Sequence, residues 1–135
     1  DDMATEYPKL PPGTISALAE AGRTVLDPED PFEETLIEVV HTHRRKGEDY
    51  ARDGSPFSNF EFCASAVGIT ASESALHMVA LKIARLGALK ANGRTKDPRN
   101  EPVNDSYLDC AVYAVLALAI RRHPDGRVRK QHIQS

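Results

Sequence analysis

Asp105 and Asp109 stand four residues apart in the run Asn104-Asp105-Ser106-Tyr107-Leu108-Asp109-Cys110, so on a helix they share a face about one turn apart, with Tyr113 continuing it. Two carboxylates so placed can share a divalent cation if a facing helix adds oxygen ligands. Glu34 and Glu38 repeat the spacing in the first long helical stretch, with Glu33 a less aligned third. Four carboxylates from two helices suit Mg²⁺, which takes oxygen ligands and keeps waters that can attack phosphorus. On this reading Glu34, Glu38, Asp105 and Asp109 are the metal ligands, and Glu38 and Asp109 carry catalysis. Acids in a first helical turn are also stabilised by the helix dipole alone, which accounts equally well for Glu33, Glu34 and Asp105. Asp109 lies beyond the first turn, between Leu108 and Cys110, and calls for a partner.

Cations are placed to answer these acids. Lys82 and Arg85, at i and i+3, share a face of an otherwise apolar helix. They can hold phosphate oxygens, Arg by its planar fork and Lys as a point charge, or they can neutralise Asp109 and Asp105 across a helix interface. Lys46, Asp49 and Tyr50 form a further polar cluster, and Asn59-Phe60 follows across a short turn. An aromatic face can stack on a base and Asn can read its edge, although Phe60 also fits a core position. The expected ligand-binding set is Lys46, Asp49, Tyr50, Asn59, Phe60, Lys82, Arg85 and Tyr113. His41 and His43 point in different directions on a helix, and His77 reads as a core or rim residue. No zinc-ligand spacing, glycine-rich phosphate loop or nucleophile elbow is present.

These side chains need helices to carry them. Prolines 8, 11 and 12 predict an extended lead-in, and residues 14–26 are mildly amphipathic, fitting a short helix or an arm that docks on a neighbour. Asp27-Pro28-Glu29-Asp30-Pro31 opens a helix from about Phe32 to Tyr50, with Phe32, Leu36, Val39, Val40 and His43 at helical spacing. A second runs from about Phe57 to Val67, with Phe57, Phe60, Cys63, Ala64 and Val67 on one side, and Gly68 stops it. Thr70-Ala71-Ser72-Glu73 is a capping box that starts a third, ending near Leu89. After a polar loop over 90–104, a last helix starts near Asn104 or Asp105 and ends by Pro124-Asp125-Gly126. The fold class is all-α: a bundle of about four main helices over 31–123, an N-terminal arm over 1–30 and a basic tail over 124–135.

Composition agrees with one small domain of 135 residues without Trp. Cys63 and Cys110 each sit in an apolar run, which predicts buried, reduced thiols. Residues 1–61 hold 14 acids against 6 bases, a net −8, whereas residues 62–135 hold 6 against 11, a net +5. That polarity favours homo-oligomers and gives a phosphate-bearing ligand a place to go; without interleaved aromatics it does not favour nucleic acid. No leader or membrane span is read, so the expected location is the cytoplasm.

The ordered set Lys46-x-x-Asp49-Tyr50, Asn59-Phe60, Lys82-Ile-Ala-Arg85 and Asp105-Ser106-x-x-Asp109-x-x-x-Tyr113-Ala114 resembles a family of small helical proteins encoded by bacteriophages and prophages, over roughly residues 36–118. That family is itself distantly similar to the MazG-like all-α nucleotide pyrophosphohydrolases. The resemblance implies Mg²⁺-dependent cleavage of nucleoside triphosphates to monophosphate and pyrophosphate in a host cytoplasm. Glu34, Glu38, Asp105 and Asp109 would then hold metal, with Lys82 and Arg85 on phosphates. The alternatives are a phage protein that binds a nucleotide or signalling nucleotide without turnover, and a helical interaction module.

Overall fold

The computed structural model describes residues 26–50, 55–94, 96 and 102–128, leaving aside the side chains of 48–50. Four helices account for the regular structure among them: α1 over Pro31–Tyr50, α2 over Ser58–Val67, α3 over Ala71–Ala91 and α4 over Val103–Arg122. The all-α bundle expected from the helical periodicity is therefore present. The N-terminal arm up to residue 25, most of the basic tail, and much of the 90–104 loop lie outside the described residues.

Each start and stop has a local cause. Asp30 opens α1 by accepting from the Glu33 amide at 3.0 Å. The capping box at α3 is formed as its spacing predicts: Thr70 Oγ1 accepts from the Glu73 amide at 3.0 Å, and Glu73 Oε1 accepts from the Thr70 amide at 2.8 Å. The Thr70 amide foremost, and the Thr70 hydroxyl beside it, hold the Glu73 carboxyl below its ordinary value. Gly68, at φ 76°, ends α2 in the left-handed conformation, and its amide and that of Ile69 both donate to the Ala64 carbonyl.

The backbone of the molecule is the antiparallel pair α3–α4. Ser72 Oγ donates to the Ala117 carbonyl at 2.8 Å, Cys110 Sγ contacts the Val79 carbonyl at 3.9 Å, and Arg85 Nη1 donates to Ser106 Oγ at 2.6 Å, a register running in opposite directions along the two helices. Successive helical positions advance by about 100°, so these contacts fix which flank of each helix faces outward. One flank of the pair carries α1, packed on α4, and α2, packed on α3. An apolar cluster of Phe57, Phe60, Ala75, Ala117 and Ile120 closes the end where α4 finishes.

Several expected core positions are not core. Among the described side chains of α1 the buried ones are Val39 and Thr42, with Lys46 half-buried one turn further on; Phe32, Val40 and His43 are exposed. The inward stripe thus contains a threonine and a lysine, and a search for apolar spacing rotates the helix by about one residue. In α2, Phe57, Phe60 and Ala64 turn inward, whereas Cys63 and Val67 are exposed, because this short helix packs mainly on one neighbour and buries only a narrow stripe. Cys63 is therefore not a buried thiol. His77 is exposed too, on the outer side of α3.

Helix α4 is long and apolar enough to meet the length and composition test for a membrane span. It also packs against both α1 and α3 and carries a buried, ion-paired aspartate, the pattern of a central helix.

Candidate functional site

Asp109 organises the site. On α4 it lies between the flank facing α3 and the flank facing α1, so its carboxylate can meet a cation from each. Lys46 of α1 hydrogen-bonds Oδ1, and Lys82 of α3 approaches Oδ2 at 2.9 Å. The Lys82 contact is an ion pair by distance, set off the line of a good hydrogen bond. With Asp109 only 2% exposed, the arrangement is a buried carboxylate held by two partly wet ammonium groups. Burial pushes its pKa up, but the close contacts and charges of Lys46 and Lys82 outweigh that and hold it below the ordinary carboxylate value. Beside it, burial and the Asp109 charge push the Cys110 thiol up, against a smaller opposing effect of Lys82. Cys110 is thus kept as a thiol.

Ser106, one turn before Asp109 and fully buried, accepts the Arg85 guanidinium. Three cations from two helices therefore line this seam, Lys46 and Lys82 on the Asp109 carboxylate and Arg85 on Ser106.

A half-open cavity of about 120 Å³ begins one turn along α4. Its α4 wall is Val112, Tyr113 and Leu116; α1 contributes His43, Lys46 and Gly47; and Pro56, Asn59 and Phe60 complete it from the start of α2. Phe60 and Tyr113 meet edge to face, with centroids 6.0 Å apart and planes at 81°. Gly126, at φ 81°, brings the turn after α4 against Pro56: a Cβ there would lie 2.9 Å from Pro56 Cδ. Lys46 belongs to both arrangements, ion-paired to Asp109 and lining the cavity.

The structure thus brings together Lys46, Lys82 and Asp109, and beside them Lys46, Asn59, Phe60 and Tyr113. Arg85 joins the seam through Ser106. Asp49 and Tyr50 end α1, but their side chains lie outside the described residues. The four-carboxylate cage is not formed: Glu34, Glu38 and Asp105 are exposed, Asp109 is paired with lysines, and no three acidic, His or Cys side chains converge to hold a metal among the described residues. The acids at the start of α1 and α4 sit in first turns, where the dipole favours them, and only Asp109 turns into the interface.

Sequence reasoning missed Thr42, Ser106, His43, Val112 and Leu116. For Ser106 a signal existed: it stands three residues before Asp109 and so shares its face. Thr42 stands four before Lys46 and three after Val39, on the stripe the apolar pattern overlooked.

Compared with known proteins, the chain matches no family model, no curated protein and no solved structure at a significant level.

Proposed function

We propose that the chain is a phage-type nucleotide-handling protein that binds a ring-bearing phosphate compound, such as a nucleotide, without turning it over. The observation that carries this reading is the double duty of Lys46, which lines the aromatic cavity while ion-paired to the buried Asp109 carboxylate. An apolar cavity of roughly 150 Å³ holds a benzene ring, so a half-open space of about 120 Å³ accepts much of a planar ring, with the rest of the ligand outside. Tyr113 and Phe60 offer ring surface, Asn59 an edge-reading amide, and Lys46 a counter-charge for phosphate. Glu34, Glu38, Asp105 and Asp109 do not fit a Mg²⁺ cage, so hydrolysis would require metal delivered on the nucleotide itself.

The test is calorimetry against a panel of nucleoside mono-, di- and triphosphates with and without Mg²⁺, alongside a pyrophosphate-release assay. Binding with unchanged ligand, weakened at least tenfold by Lys46→Met and by Tyr113→Ala, is expected. Release of pyrophosphate would replace the reading by the hydrolytic one. Absence of binding to every phosphate compound would leave only a structural module.

A further inference from the structure

The α3–α4 pair has a second flank, opposite α1 and α2, that is exposed and apolar. On α3 it carries Leu76, Ala80, Ile83 and Gly87, spaced 4, 3 and 4, all exposed. Leu76 and Ile83 are 56% and 58% exposed, and a Cβ built on Gly87 would meet nothing within 4 Å. Tyr107 and Ala114 of α4 are exposed on the same side, since that flank lies on the same hand of the contact line in both antiparallel helices. The stripe is flanked by Glu73 at the start of α3 and Lys90 at its end.

We propose that this flank is the interface with a second copy of the chain, paired about a two-fold axis that crosses α3 between Ala80 and Ile83. The ground is that the stripe complements its own reverse. When α3 is laid antiparallel on itself about that axis, Leu76 faces the partner subunit's Gly87, Ala80 faces the partner subunit's Ile83, and Glu73 faces the partner subunit's Lys90. Each large side chain meets a small one and each charge meets its opposite, as an isologous contact requires. Tyr107 and Ala114 flank the seam on α4, so the two hairpins close into a four-helix layer. A lipid surface would not need this alternation of sizes, nor the paired charges at the two ends.

The experiment is sedimentation velocity and light scattering of the full chain at micromolar to millimolar concentration. A dimer is expected, with mass twice the 14.8 kDa of the chain. Ile83→Glu is expected to give a monomer with unchanged helical circular dichroism, since this side chain is already more than half exposed. Gly87→Leu adds bulk opposite Leu76 and improves helix propensity; it is expected to weaken the dimer at least tenfold without loss of helix. Lys90→Glu is expected to weaken it more at low salt than at high salt. A monomeric wild type overturns the proposal, as does a dimer indifferent to both Ile83→Glu and Gly87→Leu. Co-flotation of a monomer with phosphatidylglycerol vesicles would assign the face to lipid instead. A monomer that stays in solution would leave it to other parts of the chain.

Discussion

The two ends of the α3–α4 pair are held by different physics. At one end, Phe57, Phe60, Ala75, Ala117 and Ile120 pack as an apolar cluster. At the other, the largest fully buried side chains are polar, Asp109 and Ser106, and they tie α4 to Lys46, Lys82 and Arg85. Apolar contacts are non-directional and tolerate repacking, so the first end supplies adhesion. A buried carboxylate is tolerable only when its partners arrive in register, so the second end selects one alignment of α1, α3 and α4. The cavity lies where the two meet, with Lys46 on one wall and Phe60 of the apolar cluster on another.

The largest expected effect is at Asp109. Asp109→Ala removes the buried carboxylate that Lys46 and Lys82 share and is expected to cost about 3 kcal/mol, toward the lower end for a broken buried pair because water reaches Lys46. Urea unfolding measures it. Replacing the three together, Lys46→Met, Lys82→Met and Asp109→Leu, is expected to restore wild-type stability or exceed it while abolishing anion binding. A triple variant as unstable as Asp109→Ala would show that the seam adds stability of its own, and the contrast between the two ends would dissolve.

At the apolar end, Ile120→Val is expected to cost about 1 kcal/mol in the same measurement and to leave ligand affinity untouched. A loss of affinity there would mean that the two ends are coupled through α4.

Acid gives the mildest perturbation. Because Asp109 titrates below its ordinary value of 3.8 when folded, its contribution is complete above that pH and fades as pH falls through the lower folded value. Stability of the wild type measured from pH 6 down to pH 2 is expected to drop more steeply than that of the triple variant, in which the seam no longer titrates. Parallel curves would remove Asp109 from the acid response.

Much of the scaffold was legible before any coordinates. The proline-rich entry to α1, the Thr70–Glu73 box, the stop at Gly68 and the aspartate stranded between Leu108 and Cys110 are local statements, written in residues a few positions apart, and each appears where the pattern puts it. Lys82 and Asp109 could be named as charges needing partners, because a charge on an apolar helix is costly wherever the helix ends up.

Which cation met which acid was not in the sequence. Helical spacing ranks Glu34, Glu38, Asp105 and Asp109 alike, since it records only the angle about one axis, and packing decides which angle becomes interior. Tertiary structure turned Asp109 inward between two helices and left the other three acids in water, and it moved the inward stripe of α1 onto Thr42 and Lys46. The chain alone determined that these helices form and that a few charges must be reconciled; the docking of α1 and α3 on α4 decided the pairing, because energies that depend on distances between remote segments exist only once those segments meet.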